Sequence, residues 1–143
     1  MIDDIILTKE KIIELKGGNV KHALKKSSVG FNDFGEAYFS EINLGVVKAW
    51  KKHKKMTLNL LVPYGKVHFT IYDSRNNQEI YKEYVLASSD CYRLTVPPNL
   101  WFGFKGIHSK KSIILNIADI LHDDKEVEKL DIKEINFNWE DIK

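Results

Sequence analysis

The chain has 143 residues, 43% of them hydrophobic and 29% charged, which suits one folded domain and excludes wholesale disorder. No apolar run approaches the roughly 20 residues of a membrane-spanning helix, and the acidic start Met1-Ile2-Asp3-Asp4 is unlike a secretory leader. Cys91 is the only cysteine, so a disulfide within the chain and a cysteine-built metal cluster are excluded, and a reducing cytoplasm is the expected compartment.

The formal net charge is only +2, but it is unevenly spread. Residues 48–55 read Lys48-Ala49-Trp50-Lys51-Lys52-His53-Lys54-Lys55, with five lysines in eight positions. The stretch from Asp119 to Lys143 has nine acids and four lysines, a net of −5. A short basic cluster on a near-neutral chain suits a phosphate or another local anion. Nucleic acid calls for a broader basic face and is not the expected partner.

In chain order, Lys9–Lys16 has a helical look, with Ile12, Ile13 and Leu15 apolar, and Gly17-Gly18 ends it. Glu36–Ile42 reads as a strand of mixed aromatic and polar residues. Gly45–Lys55 follows. Read as a strand, it sends Lys51, His53 and Lys55 to one face and Trp50, Lys52 and Lys54 to the other. Thr57–Val62 is a short apolar run, stopped at Pro63-Tyr64-Gly65. Lys66–Asp73 alternates: Val67, Phe69 and Ile71 share one face, His68, Thr70 and Tyr72 the other.

A polar turn at Ser74–Gln78 leads into a return strand at Ile80–Leu86. Further strands are expected at Tyr92–Val96 and Ser112–Ala118, with the rigid corner Pro97-Pro98 and the aromatic segment Trp101–Gly106 between them. Asp124–Leu130 is expected to form a helical turn or two. Many short strands with close turns, and connections too short for crossover helices, predict an all-β single domain, a sandwich or barrel with little helix.

Inward-facing lysines need an anionic ligand or an acid partner. Crowded cations also lower one another's pKa, which can leave a lysine or histidine able to act as a base. The plain alternative is a lysine-blocked edge strand. The aromatic corner Trp101-Phe102-Gly103-Phe104 suits stacking on a ring, or a hydrophobic plug at a barrel end. No metal site is expected: His53 is followed by Lys54 and Lys55, not by a second histidine or a neighbouring acid.

Gly45-Val46-Val47-Lys48-Ala49-Trp50, Val62-Pro63-Tyr64-Gly65-Lys66-Val67, Tyr72-Asp73-Ser74-Arg75 and Val96-Pro97-Pro98-Asn99-Leu100-Trp101-Phe102-Gly103-Phe104 follow the order and spacing of a known family. They resemble dTDP-4-dehydrorhamnose 3,5-epimerase-like proteins, as do Phe34–Ser40 and His122-Asp123-Asp124. The resemblance covers roughly Phe31 to Trp139. It implies a cupin-type jelly-roll β-barrel over residues 1–143, a homodimer in which strands among residues 1–30 could exchange, no cofactor and no metal. It implies a nucleotide-diphosphate-linked 4-keto-6-deoxy sugar as substrate, in surface polysaccharide biosynthesis. The family's chemistry removes a proton next to the ketone and returns it on the other face, with a cation stabilising the enolate.

The family's usual catalytic set is not retained in the matching positions. Its diphosphate-binding arginine matches Lys48. Its histidine base matches Lys51, and the histidine of its proline corner matches Phe102. Its tyrosine acid falls in a segment matching Asp119-Ile120-Leu121, which has no tyrosine. The aspartate that partners its base has no match, and neither does its enolate-stabilising lysine. His53 or Lys51 is therefore the expected displaced base. Lys48, Lys55, Asn59, His68, Tyr72 and Trp101 are the residues expected to bind substrate. A non-catalytic sugar-nucleotide-binding cupin is the alternative.

Overall fold

The structure is a computed structural model that describes residues 2–108 and 110–143. Among the described residues, twelve strands are joined by turns and four single-turn 3-10 helices. The first sheet contains β1 (Ile6–Lys9), β9 (Tyr92–Val96), β6 (Leu58–Tyr64), β11 (Lys111–Ala118) and β4 (Glu36–Asn43), in that spatial order. The second contains β12 (Val127–Lys129), β5 (Val47–His53), β10 (Trp101–Gly106), β7 (Lys66–Asp73) and β8 (Ile80–Ala87). All pairings of these strands are antiparallel. The two five-stranded sheets form a cupin-type jelly roll, the fold that the family resemblance implies and one of the all-β class that the short strands and short connections predict.

The Lys9–Lys16 segment is not helical. It holds β2 (Ile12–Leu15), which pairs with β3 (Gly18–Lys21) in a hairpin turning at Lys16 and Gly17. Four residues with three apolar side chains fit either period, and the tight turn at Gly17, with φ +82°, decides for the hairpin. Asp124–Leu130 is likewise extended at its centre: β12 adds to the edge of β5, pairing Val127 with His53, Glu128 with Lys52 and Lys129 with Lys51. The edge of β5 has free backbone groups, and pairing satisfies them better than one isolated helical turn could.

The inner faces of the sheets meet in an apolar core that includes Val67, Phe69, Ile71, Leu58, Leu60, Leu94, Phe102 and Ile114. The alternation expected in β7 holds. His68 and Tyr72 point to the outer face of the second sheet, where the C-terminal segment folds over them. There Trp50, Tyr72, Ile135 and Trp139 form a second cluster, with the Trp50 and Trp139 rings 5.3 Å apart.

Candidate functional site

One irregularity in β5 sets the site. Phe102 lies opposite Lys51 and Gly103 lies opposite Ala49, so Trp50 is an extra residue in β5, a bulge. Trp50 makes its backbone hydrogen bonds with Leu130 instead, each 3.1 Å. Without the bulge, alternation would send Lys48 and Lys51 to opposite faces. With it, both share the inner face with Phe104 and Phe102. Trp50 turns outward under Trp139. Gly103 allows the close fit beneath: a Cβ there would sit 2.6 Å from the Ala49 Cβ and 2.9 Å from the Trp139 ring.

Lys48, Lys51 and His53 open onto a cavity of about 410 Å³ between the sheets. β5, β10 and β12 form one wall, with Phe102, Phe104 and Lys129. β4, β6 and β11 form the other, with Tyr38, Ser40, Leu60, Ile114 and Asn116. The described lining has three lysines and no carboxylate. Lys51 is pushed below the ordinary lysine range, first by burial of its amine and then by repulsion from Lys129 and Lys48. The Lys48 Nζ donates to the Glu41 carbonyl across the gap between the sheet edges, at 3.0 Å.

His53 stands deeper, with only 7% of its surface exposed, and stacks on Phe102 with ring centroids 6.0 Å apart. Its position is fixed from two sides. The Asn99 N–H, just past the proline corner, donates to the His53 carbonyl at 2.6 Å. Its Nδ1 is hydrogen-bonded to Glu126 Oε1. Glu126 is also buried, and its Oε2 accepts the backbone N–H groups of Lys55 and Met56 at 3.1 and 3.2 Å. Burial pushes the Glu126 carboxyl up, but the hydrogen bonds from His53, Lys55 and Met56 outweigh it and hold the group below the ordinary carboxylate range. An ionised Glu126 only accepts, so His53 Nδ1 carries the hydrogen between them, and in the neutral imidazole the lone pair is then on Nε2. That is the arrangement of a general base.

Tyr38 faces the cavity from β4. Its hydroxyl oxygen accepts a hydrogen bond from Asn116 Nδ2 at 2.9 Å. The site therefore has a carboxylate-paired histidine on one wall, a phenol on the other and three amines around the cavity.

Of the residues expected from the sequence, the structure brings Lys48, Lys51 and His53 together here. The others lie elsewhere. Lys55 is exposed beyond the end of β5, and it serves the site through its backbone N–H. Asn59 is on the far side of the first sheet, where it donates to the Gly30 carbonyl and accepts from the buried guanidinium of Arg93. His68 is under Trp139, 3.1 Å from Glu83, and burial pushes its pKa down. Tyr72 stacks with Tyr81 in the outer cluster. Trp101 lies beneath the Lys52 ammonium, 4.9 Å from the ring centroid. Strand parity separates Asn59, His68, Tyr72 and Trp101 from the cavity, since each points away from the inner face.

Sequence reading missed Glu126, Tyr38, Asn116 and Lys129. Tyr38 and Asn116 had a usable signal: each shares parity with buried apolar residues of its own strand, Ile42 in β4 and Ile114 in β11. Glu126 and Lys129 had none, because their place follows from β12 pairing with β5.

The site is thus a cavity inside a cupin-type barrel, holding a buried histidine–carboxylate pair and three amines. No family model matches the chain. A dTDP sugar isomerase from Desulfovibrio desulfuricans G20 is 33% identical, with 99% of this chain and 94% of that one covered and a TM-score of 0.91. The protein belongs to this family of sugar-nucleotide isomerases and epimerases, the dTDP-4-dehydrorhamnose 3,5-epimerase-like proteins. The probable low-salt glycan biosynthesis epimerase Agl13 of Haloferax volcanii is 30% identical over 91 residues, 61% of this chain. The match spans 58% of that relative's length. A dTDP-4-dehydrorhamnose 3,5-epimerase from Bacillus anthracis str. Ames shares the fold at 18% identity, with a TM-score of 0.82 and coverage of 95% of this chain and 85% of that one.

Proposed function

We propose that the protein is an isomerase or epimerase acting on a nucleotide-diphosphate-linked 4-keto-6-deoxy sugar, in the making of a surface glycan. The observation that carries this reading is the buried His53–Glu126 pair on the wall of a lysine-lined cavity. His53 Nε2 removes the proton on the carbon next to the ketone, and the His53 imidazolium that forms is stabilised by Glu126. The negative charge that develops on the ketone oxygen is met by the Lys51 ammonium. Lys48 and Lys129 hold the diphosphate at the mouth. Tyr38, on the opposite wall, returns a proton to the other face. The similarity to a dTDP sugar isomerase and to a glycan biosynthesis epimerase supports the substrate class and the setting.

The test is proton exchange in heavy water with a panel of nucleotide-linked 4-keto-6-deoxy sugars, followed by NMR. Deuterium next to the ketone is the expected result, and its position names the carbon that reacts. Binding without exchange overturns the enzyme reading in favour of the non-catalytic binding cupin. The buried carboxylate behind His53 disfavours that alternative, since a binding site has no use for a base held in one tautomer.

We also infer a homodimer. The outward face of the first sheet carries Ile113, Leu115 and Ile117 beside Phe39, which is 69% exposed, and a second copy covers such a stripe. Sedimentation tests it: Phe39→Asp is expected to shift a dimer towards monomer. Among the described residues no helix is long and apolar enough to cross a membrane. With the lone buried thiol of Cys91, a cytoplasmic site of action is the setting we propose.

A further inference from the structure

Asn116 projects into the cavity from the centre of β11 and is only 5% exposed. A buried amide in the middle of Ile114, Leu60, Phe102 and Phe104 is costly unless its hydrogen bonds are made. One is made, from Nδ2 to the Tyr38 oxygen. The other amide atom, Oδ1, is buried and has no partner. The pair has a directional consequence. Because the Tyr38 oxygen accepts the Asn116 hydrogen, the phenol's own hydrogen is left to donate elsewhere. Tyr38 is half exposed and lines the cavity, so the cavity is where that hydrogen can find an acceptor.

We propose that Asn116 is the positioning residue for proton return: it holds the Tyr38 hydroxyl with its hydrogen towards the substrate. This rests on the reading of the site as an isomerase. The two steps then have different owners. His53 alone can remove a proton and replace it with deuterium from one wall. Inverting the carbon needs the donor on the other wall, and so needs both Tyr38 and Asn116.

The experiment uses TDP-4-keto-6-deoxyglucose in heavy water and reads two rates: exchange next to the ketone and formation of rearranged product. The variants are Tyr38→Phe, Asn116→Leu, Asn116→Asp and the double variant Tyr38→Phe with Asn116→Leu, each checked for a wild-type melting profile. Asn116→Asp is the decisive one. It keeps shape and size, but a carboxylate only accepts, so it draws the Tyr38 hydrogen away from the cavity. We expect product formation to fall about tenfold to hundredfold in both Asn116 variants while exchange stays within a few-fold of wild type. The double variant should be no slower than Tyr38→Phe, since one residue acts through the other.

Full product formation by Asn116→Asp overturns the inference, because it would show a merely structural role or the opposite hydrogen-bond direction. Additive losses in the double variant overturn it as well. If wild type shows no exchange with this sugar or any of the panel, the isomerase reading itself fails. That outcome is distinct from loss of product with exchange retained.

Discussion

Glu126 reaches His53 across 73 residues of sequence, and the two side chains meet where 7% of one and 4% of the other remain exposed. Two backbone N–H groups, from Lys55 and Met56, hold the far oxygen of the carboxylate. The pair is therefore fixed on three sides, and the His53 ring is held in one orientation.

From this we expect a graded loss of exchange activity. His53→Asn removes the base and should slow exchange about 10²- to 10⁴-fold. Glu126→Gln keeps the shape but loses the charge and the preference for the Nδ1 tautomer, and should cost about tenfold to hundredfold. Steady-state rates and NMR exchange on the two variants check this. Equal rates for Glu126→Gln and wild type would falsify the role of the carboxylate.

The same carboxylate makes stability depend on acid. Glu126 titrates below its ordinary value of 4.5 in the folded chain. Its stabilising contribution is thus fully present above the unfolded value and is lost as pH falls through the folded value. The melting temperature should drop as the buffer is taken below about pH 4.5, more steeply in wild type than in Glu126→Gln. Melting curves by circular dichroism across this range provide the comparison, and parallel curves for the two proteins would contradict it.

Lys48, Lys51 and Lys129 should act together on an anion. Replacing Lys48 or Lys129 by alanine is expected to weaken TDP binding about tenfold, close to the value of one charge-assisted contact. Lys51 loses its proton at a lower pH than an ordinary lysine. TDP affinity should therefore decline on the alkaline side earlier than free lysine would allow. Lys51→Arg should move that decline upward, because arginine stays charged. Isothermal titration at a series of pH values reads both effects.

Trp139 ties the C-terminal segment to the outer face of the second sheet. It contacts the rings of Trp50 and Phe137, and its carbonyl accepts from Lys105 Nζ at 2.8 Å. Trp139→Ala should destabilise the fold by about 3–5 kcal/mol, as large-to-small changes in packed aromatic clusters do. Gly103→Ala should also destabilise it, because the new methyl meets Ala49 and Trp139. Chemical denaturation measures both, and a Gly103→Ala midpoint equal to wild type would show that Trp139 can give way.

Much of the barrel was legible in the sequence. The alternation of β7, the turn at Pro63-Tyr64-Gly65 and the corner at Pro97-Pro98 mark elements whose bounds depend on neighbouring residues alone. β9 runs over Tyr92–Val96 as expected, and the aromatic segment past the proline corner is β10, Trp101–Gly106. β2 and β12 look helical in sequence because segments of four and three residues carry too little periodicity to decide, and hydrogen-bond partners on other strands settle them.

For the site, the sequence alone determined the lysine-rich run, the placing of Lys51 and His53 on one face, and the absence of the family's usual base and acid from the matching positions. Tertiary structure decided the rest. The bulge at Trp50 brought Lys48 to the same face, β12 delivered Glu126 and Lys129, and the opposite sheet supplied Tyr38 and Asn116. Strand parity is a local property that a sequence displays. Which acid backs a base, and which phenol faces it, depends on contacts between residues tens of positions apart, fixed only when the two sheets close on each other.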